Sequence, residues 1–565
     1  MTSTPGFTYR FRPPHGRPED LGGRAPEYRR TEEGGVLIER DLPVQLRDGT
    51  TIFIDLFRPA DGTPAAPLIA WGPYGKHGHT RMAVSFPKSG VKEESMSPHT
   101  VFEAPDPIYW VPRGYAVINP DPRGTWFSEG RATYLSPDEA LDFYDLIEWA
   151  GTRDWSNGKV GLSGVSYLTS SQWHVAALNP PHLAAINPWE GWSDFYREVV
   201  RHGGIPETHF WGYLPTRWGR STTEVEDLPL ETRERPFFDE YWASKRAEMS
   251  RITVPAFVVA SWTDQGLHTR GTLEGFKQIA SAEKWLEVHG RKKWAYYYEP
   301  ESMVRQTQFF DRYLHGRNSG LENWPRVRLE ARERFTVGRV REAAKWPVPG
   351  TQYVPLFLDT ESGRLEREPV PREGSLRYDP LGEDGPGSRA VFTHRFEEAV
   401  DLIGHMKLRL WVSAEGADDM DLFVAVQKLD AAGEVVPFAF YGQFEDGPVA
   451  LGWLRVSHRE LDEARSTPFQ PVLLHQREIK LAPGEVVPVD IEIWPSGTHF
   501  EAGTSLRLVV QGRDVTRYPL PNVQPLHEST VNAGTHVLHA GGAHDSHLLI
   551  PVLPAQPGPA REWTP

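Results

Sequence analysis

Residues 155–173 read WSNGKVGLSGVSYLTSSQW, and this stretch predicts the centre of the fold. A polar turn leads into a short apolar strand at residues 159–162, and a helix-compatible run leads away through Trp173. A strand, a tight turn and a helix with a serine at the turn form the layout of a nucleophile elbow. Gly164 has no Cβ, so the backbone can turn sharply there. Ser166 would then stand at the carboxyl edge of a sheet.

The elbow is weak evidence by itself. The usual pattern is G-x-S-x-G, whereas Leu168 takes the place of the last glycine here. The chain also holds 51 glycines, so a G-x-S triplet arises easily by chance. An ordinary strand-to-helix turn is an equally simple explanation, and a catalytic interpretation needs partners elsewhere in the chain.

The composition limits the classes of function. A chain of 565 residues is too long for one hydrophobic core, so we expect two or three domains. It has no run of 18 apolar residues, so we expect no membrane span, and no apolar N-terminal segment, so we expect no secretory signal. The net charge of −15 argues against nucleic acid as a partner. The absence of cysteine excludes disulfides and thiolate sites and fits a reducing compartment, for which we expect the cytoplasm.

The order of apolar segments predicts an α/β-hydrolase domain with a helical cap insertion, followed by an all-β jelly-roll domain. Short apolar strands alternate with helices in the first part, which is typical of a mainly parallel α/β sheet. Strict alternation then replaces helical periodicity, which indicates a β-sandwich. We expect four parts: an N-terminal arm at residues 1–35, a catalytic domain at residues 36–190 and 254–335, a cap at residues 191–253, and a jelly roll at residues 336–565.

A serine nucleophile needs a base, and the base needs an orienting carboxylate. In the α/β-hydrolase fold these residues follow in the order Ser, Asp, His, each on a loop just after a strand. Asp264 follows the predicted strand at residues 255–261, and His289 follows the one at residues 285–288. Taken singly, Asp264 could be a helix N-cap and His289 an ordinary loop histidine. Their joint placement predicts Ser166, Asp264 and His289 as a catalytic triad.

Two groups are candidates for an oxyanion hole. The backbone N–H of Tyr167 follows the serine at the elbow, where it would point towards the developing oxyanion. Tyr74 follows an apolar strand at residues 68–71, where this fold supplies its other oxyanion donor. A phenol O–H can do what a backbone N–H does. The alternative role for Tyr74 is an aromatic wall of the pocket.

The chain resembles the family of cocaine esterase and X-prolyl dipeptidyl-peptidase, the acyl esterase type of serine hydrolase. The resemblance covers about residues 36–555 and rests on Arg47-Asp48-Gly49, Pro73-Tyr74-Gly75-Lys76, Arg123-Gly124-Thr125, Ser128-Glu129-Gly130, Gly164-Val165-Ser166-Tyr167, Trp262-Thr263-Asp264 and Phe309-Phe310-Asp311. It implies the roles given above for Ser166, Asp264, His289, Tyr74 and Tyr167, together with a C-terminal jelly roll. The chain departs from the family at Thr169, where members often carry glycine, and in an insertion that is short beside that of cocaine esterase.

The expected surroundings of the substrate are mostly aromatic. Glu190 lies just past the predicted strand at residues 184–187, where it could bind a substrate cation or serve as a salt-bridged structural carboxylate. The α-amino-acid ester hydrolases, a branch that resembles this family, carry an acidic pair where this chain has Gly266 and Leu267. Four tryptophans are candidate walls of an apolar pocket: Trp189, Trp192, Trp211 and Trp262.

The leading hypothesis is a serine hydrolase that cleaves carboxylic esters with neutral acyl groups through an acyl-enzyme. X-Pro dipeptidyl-peptidase action, or hydrolysis of other amides or α-amino-acid esters, is an alternative within enzymes. A catalytically silent binding protein is an alternative of another class. We expect a small-molecule ester or amide as substrate and no cofactor, and a homo-oligomer is left open. His77 and His79 form an H-x-H pair without an apparent third ligand, so we interpret them as loop histidines and expect no metal.

Overall fold

The strand that precedes Ser166 lies inside a mixed sheet in the computed structural model, which describes residues 6–77, 82–383, 385–519 and 523–563. In chain order the strands of this sheet are β1 (Arg29–Glu33), β2 (Val36–Gln45), β3 (Thr51–Pro59), β4 (Ala66–Ile69), β5 (Tyr115–Asp121), β6 (Val160–Val165), β7 (Leu183–Trp189), β8 (Ala256–Ser261), β9 (Lys284–His289), β10 (Val327–Arg334) and β11 (Val337–Ala343).

The order across the sheet is β1-β2-β3-β5-β4-β6-β7-β8-β9-β10-β11. Neighbours from β5 across to β10 pair in parallel, and the pairs at both ends of the sheet are antiparallel. The mainly parallel α/β sheet predicted from the sequence is therefore present. Because β6 lies among parallel neighbours, the residue after it stands at the carboxyl edge.

The helices that accompany the sheet are α1 (Met82–Ser85), α2 (Pro107–Trp110), α3 (Pro137–Gly151), α4 (Tyr167–Ala176), α5 (Phe210–Trp218), α6 (Leu228–Glu234), α7 (Glu240–Ser244), α8 (Thr269–Gln278), α9 (Lys293–Tyr298) and α10 (Pro300–Phe310). The start of α3 shows why the sequence forms a helix there. The Ser136 hydroxyl accepts a 3.0 Å hydrogen bond from the N–H of Glu139, and Pro137 occupies the first helical position.

Two apolar clusters hold the helices on the sheet. One joins the strands to α3, α4 and α8 through residues such as Phe143, Trp173 and Phe276. The other joins them to α2 and α10 through residues such as Trp110 and Phe310. Every residue of β4, β6 and β8 is buried, as expected for parallel strands covered on both faces.

The insertion between β7 and β8 carries α5, α6 and α7 and a short strand pair at Arg201–His202 and Ile205–Pro206. A longer helix at residues 237–248 is what the sequence pattern favours, but α7 is only five residues long. The N-terminal arm crosses this cap, because Phe11–Arg12 pairs antiparallel with Val225–Glu226.

The C-terminal region is built from strands, nearly all paired antiparallel: β12 (Gln352–Asp359), β13 (Arg364–Glu366), β14 (Gly374–Tyr378), β15 (Arg389–Arg395), β16 (Val400–Glu415), β17 (Asp421–Leu429), β18 (Val435–Val436), β19 (Phe438–Phe440), β20 (Phe444–Gly447), β21 (Ala450–Arg455), β22 (Val487–Phe500), β23 (Ser505–Gln511), β24 (Thr535–Ala540), β25 (His547–Pro554) and β26 (Arg561–Glu562). It encloses its own apolar core. The boundary expected at residues 335–336 falls inside the β10–β11 hairpin, so β11 belongs with the α/β sheet. Within the described ranges, no helix has the length and apolar character that a membrane span requires.

Candidate active site

Ser166 sits in a strained turn between β6 and α4. Its backbone has φ 63° and ψ −116°, a conformation that residues other than glycine rarely adopt. The Ser166 N–H is held by the carbonyl oxygens of Trp189 and Glu190, each at 3.0 Å. Gly164 has φ 140°, and a Cβ there would lie 2.6 Å from Leu168. The turn therefore has the geometry of the predicted elbow although the last glycine of the pattern is missing.

His268 is the histidine that reaches this serine. Its Nε2 lies 3.1 Å from the Ser166 Oγ, and its Nδ1 forms a short hydrogen bond to Oδ2 of Asp264. Asp264 and His268 are four residues apart in a helical turn, in which the N–H groups of Leu267 and His268 both donate to the Asp264 carbonyl at 3.1 Å. A spacing of four residues puts two side chains on the same face of such a turn.

The expectation that His289 would be the partner of Ser166 is therefore wrong. The sequence pattern places the strand end at residue 288 and His289 on a loop, but β9 extends through His289, which pairs with Ser261 of β8. Its Nε2 lies 3.0 Å from Oε1 of Glu190 and not at the serine. The spacing D-x-x-x-H from Asp264 to His268, just before a helix, was the available signal for the correct histidine.

Lys293, the first residue of α9, joins the same group of side chains. Its Nζ lies 2.8 Å from Oδ2 of Asp264 and 3.3 Å from Nδ1 of His268. The ammonium group is buried, and nothing in the sequence pattern pointed to it. Oδ2 of Asp264 thus accepts hydrogen bonds from both His268 and Lys293, while Oδ1 has no hydrogen-bond partner within the described ranges.

Burial and the charge of Lys293 determine the protonation states of Asp264 and His268. Burial raises the pKa of Asp264, but Lys293 and His268 outweigh burial and hold it well below the ordinary value. Burial and the nearby Lys293 charge lower the pKa of His268, against the opposing effect of Asp264. The imidazole is therefore neutral at neutral pH, with Nδ1 donating to Asp264 and Nε2 accepting from the Ser166 hydroxyl.

Both oxyanion candidates lie beside Ser166. Tyr167 is the first residue of α4, and its N–H has no acceptor within the part of the chain that the structure describes. Tyr74 lines the pocket with Ser166, and its ring packs on Phe102 at 4.9 Å. Burial and the neighbouring Glu103 raise the pKa of Tyr74 well above 10, while hydrogen bonding that includes Ser166 opposes this. The phenol therefore keeps its proton and can donate it in a hydrogen bond.

Glu190 is not available to a substrate cation. Its Oε1 lies against His289, and its Oε2 accepts a 2.5 Å hydrogen bond from the Ser261 hydroxyl. The side chain is fully buried. Of the two roles considered for Glu190, the structural carboxylate is the one that its contacts support.

The four tryptophans have different positions. Trp192 packs against the His268 ring at 5.2 Å and so borders the site. Trp189 lies in the apolar cluster that packs α2 and α10 on the sheet, and its Nε1 donates a hydrogen bond to Oδ1 of Asn187. Trp262 donates to the carbonyl of Glu330 and packs against Trp346. The backbone of Trp211 lies in α5, but its side chain falls outside the described residues. Trp189 and Trp262 are therefore not pocket walls.

The pocket above Ser166 is aromatic, and apart from Tyr74 and Leu267 its walls come from residues that the sequence did not single out. The walls belong to loops and to helix α9 of the α/β part, to the cap and to the β-rich region: Tyr74, Phe86, Phe102, Glu103, Phe210, Tyr213, Leu214, Arg217, Leu267, Lys293, Trp294, Tyr441 and Val523. Glu103 accepts a 2.8 Å bond from Trp294 on Oε1, and its buried Oε2 has no partner in the described ranges. Burial raises the pKa of Glu103 to about 8, although Lys293 opposes this.

His77 lies near two carboxylates that the sequence could not associate with it. Its Nε2 is 3.2 Å from Asp41 and 3.5 Å from Asp55. Burial lowers the pKa of His77, but these two contacts outweigh it and raise the value to about 9. The Lys76 ammonium already lies 2.6 Å from Asp41, so charges of the chain itself neutralise this cluster. His79 lies outside the described residues.

Two family models match separate regions of the chain. The model of the X-Pro dipeptidyl-peptidase S15 family matches residues 48–228. The model of the X-Pro dipeptidyl-peptidase C-terminal non-catalytic domain matches residues 319–549. The first match contains Tyr74 and the elbow, and the second begins just before β10 and continues into the C-terminal strands.

Similar proteins match over nearly the whole length. The crystal structure of a CocE/NonD family hydrolase from Staphylococcus aureus is 39% identical, with a TM-score of 0.89, and the match covers 97% of this chain and 99% of that chain. Cocaine esterase from Rhodococcus sp. (strain MB1 Bresler) is 24% identical, over 92% of this chain and 99% of its own length. An α-amino acid ester hydrolase is 17% identical, with a TM-score of 0.70, and the match covers 92% of this chain and 97% of that chain, a likeness of fold.

Proposed function

Because this chain belongs to the CocE/NonD family of hydrolases, we propose that it is a serine esterase that cleaves carboxylic esters through an acyl-enzyme. One observation carries the proposal: Ser166, His268 and Asp264 form a hydrogen-bonded line at the base of an aromatic pocket. Such a line is what a serine needs to become a nucleophile at neutral pH.

The proposed reaction has two halves. His268 Nε2 takes the hydroxyl proton as Ser166 Oγ attacks the ester carbonyl carbon, and the imidazolium then gives that proton to the departing alcohol. Water next attacks the acyl-enzyme, with His268 again accepting a proton and returning it to Oγ. Asp264 holds Nδ1–H throughout and stabilises the imidazolium in both halves.

The oxyanion of each tetrahedral intermediate would lie between the Tyr167 N–H and the Tyr74 O–H. Both donors are fixed before substrate arrives, because Tyr167 begins α4 and the Tyr74 ring packs on Phe102. Donors fixed in advance need no reorganisation when the negative charge develops.

The β-rich region is proposed to be a jelly roll that completes the pocket. Tyr441, between β19 and β20, lines the pocket, and its N–H donates to the Thr263 carbonyl beside Asp264 at 3.0 Å. This region would therefore act in substrate recognition as well as in folding.

A second candidate function is that of an X-Pro dipeptidyl-peptidase, which releases X-Pro dipeptides from the N-terminus of a peptide. The observation that favours it is the match of residues 48–228 to the X-Pro dipeptidyl-peptidase S15 family. Such a peptidase binds a free α-ammonium group, for which a carboxylate is the natural partner. Glu190 is not among the pocket residues and is held by His289 and Ser261, while burial raises the pKa of the pocket carboxyl Glu103 to about 8. These contacts favour the esterase.

Labelling with a fluorophosphonate probe tests the proposal, because only an activated serine reacts. We expect the folded wild-type protein to be labelled, peptide mass spectrometry to place the label on Ser166, and Ser166→Ala to remain unlabelled. A folded wild-type protein that resists the probe would overturn the proposal in favour of a binding protein. Rates on p-nitrophenyl acyl esters and on X-Pro p-nitroanilides then separate esterase from peptidase.

A further inference from the structure

Lys293 is a buried cation that the proton transfers above do not use. Its Nζ contacts Oδ2 of Asp264 at 2.8 Å and lies 3.3 Å from Nδ1 of His268. Burying an ammonium group is costly unless carboxylates compensate it, and Asp264 and Glu190 both favour the charged form of Lys293. A charged lysine is therefore a fixed part of this site.

The position of Lys293 affects both neighbours. It contacts the same carboxylate oxygen that receives His268, so the side chain of Asp264 is fixed by two donors and cannot rotate without losing both. It also places a positive charge next to the imidazole, which disfavours the imidazolium form. Asp264 and Glu190 act on His268 in the opposite direction.

We propose that Lys293 is a positioning residue, which fixes Asp264 for His268 and keeps the resting imidazole neutral, so that the enzyme stays active in mildly acidic solution. This inference rests on the proposed esterase mechanism, in which only the neutral imidazole can accept the Ser166 proton. Lys293 would not itself touch the reacting atoms.

The test is the pH profile of kcat/KM for a p-nitrophenyl ester in three variants. Lys293→Met removes the charge but keeps the chain length, Lys293→Arg keeps the charge, and Lys292→Met is the matched control. Lys292 is the adjacent lysine, but its Nζ contacts Glu445 at 2.6 Å and the Lys88 carbonyl at 2.9 Å.

We expect the acidic limb of the Lys293→Met profile to move up by about one pH unit or more, since a charge in contact shifts a pKa by roughly 1–3 units. A shift of one unit means a tenfold lower kcat/KM below the limb, with recovery as the pH rises. Lys293→Arg and Lys292→Met should keep the wild-type limb. An unmoved limb in Lys293→Met, or an equal loss at every pH, would overturn the inference.

A measurement on the wild-type protein covers the case in which Lys293→Met does not fold. The rate of Ser166 labelling by the fluorophosphonate should fall only below the ordinary histidine pKa of about 6.5. A labelling rate that already falls above that pH contradicts the role of Lys293. Absence of labelling at every pH would instead refute the esterase, so the two failures are distinguishable.

Discussion

At the scale of single residues, the chemistry of the site depends on which histidine contacts Ser166. His268 and His289 are both fully buried and both contact a carboxylate. Only the imidazole of His268 also contacts the serine hydroxyl. The other pair, His289 with Glu190, joins the last residue of β9 to the residue that follows β7.

The same substitution at the two histidines separates their roles. We expect His268→Gln to lower kcat by a factor on the order of 10⁶, the scale seen when the base of a serine triad is removed. His289→Gln should stay within about tenfold of wild type, because glutamine can still donate to Glu190 and does not touch the reacting atoms. Steady-state kinetics on one ester gives both numbers. Near wild-type turnover in His268→Gln would restore His289 as the candidate base.

Tyr74→Phe isolates one oxyanion donor, because it removes the hydroxyl and leaves the ring on Phe102. We expect kcat to fall by about 10²–10³ with KM little changed, since the donor acts mainly in the transition state. Tyr213→Phe, another hydroxyl of the same pocket, serves as the control and should leave kcat almost unchanged. If Tyr74→Phe raises KM alone, Tyr74 only lines the pocket.

At the scale of elements, the elbow depends on how closely α4 approaches the end of β7. The hydroxyl of Thr169 on α4 accepts a 2.7 Å hydrogen bond from the N–H of Trp189, the last residue of β7. Its methyl group lies over Gly191, where a Cβ would come within 2.4 Å. Thr169, the departure from the family pattern, is thus accommodated by the absence of a side chain at residue 191.

Gly191→Ala tests this close approach. The added methyl group would overlap Thr169, and overpacking of this kind costs about 1–3 kcal/mol. We expect a lower melting temperature together with a lower kcat, because Ser166 precedes α4 and moves with it. Gly387→Ala is the control, since no atom lies within 4 Å of its added Cβ. Equal melting temperatures for the two variants would show that α4 and β7 can separate at little cost.

At the scale of the whole molecule, the pocket combines three regions that are distant in the chain. Tyr74 and Phe102 come from loops of the α/β sheet, Phe210 from the cap, and Tyr441 from the β-rich region. Among the described residues, its basic and acidic side chains are those of Arg217, Lys293 and Glu103. With a pKa of about 8, Glu103 is mostly protonated at neutral pH and offers an ammonium group little attraction.

This pocket should favour neutral acyl groups. We expect kcat/KM for a phenylacetyl ester to exceed that for its phenylglycyl counterpart by about tenfold or more. Burying an ammonium group without a partner costs more than roughly 1.4 kcal/mol of free energy, which corresponds to this factor. X-Pro amides should be poor substrates for the same reason. The ratio is measured at mildly acidic pH, where both the ammonium and Glu103 are protonated.

Glu103→Gln is the matched variant for this comparison and should leave the ratio of the two esters unchanged. A tenfold preference of the wild-type enzyme for the phenylglycyl ester would contradict the expectation. Loss of that preference in Glu103→Gln would then identify Glu103, and not Glu190, as the ammonium partner.

Features that depend on local patterns could be predicted from the amino-acid sequence. The helix N-cap at Ser136, the strand–turn–helix around Ser166 and the position of Asp264 after β8 each follow from residues close together in the chain. The change from alternating helices and strands to strands alone is likewise a property of apolar periodicity, which a sequence shows directly. These patterns sufficed for the α/β sheet, the β-rich region and two of the three proposed catalytic residues.

The third proposed catalytic residue, His268, and most walls of the pocket could be identified only from contacts between distant segments. Whether His289 ends a strand or begins a loop depends on its pairing with Ser261, and that partner lies on a different strand. For Glu190 the sequence allowed a cation ligand or a structural carboxylate, and the contacts with His289 and Ser261 support the second role. Lys293, Phe102 and Tyr441 meet Ser166 because separate segments converge at the sheet edge. Contacts of this kind are set by the packing of distant segments, which no local pattern encodes.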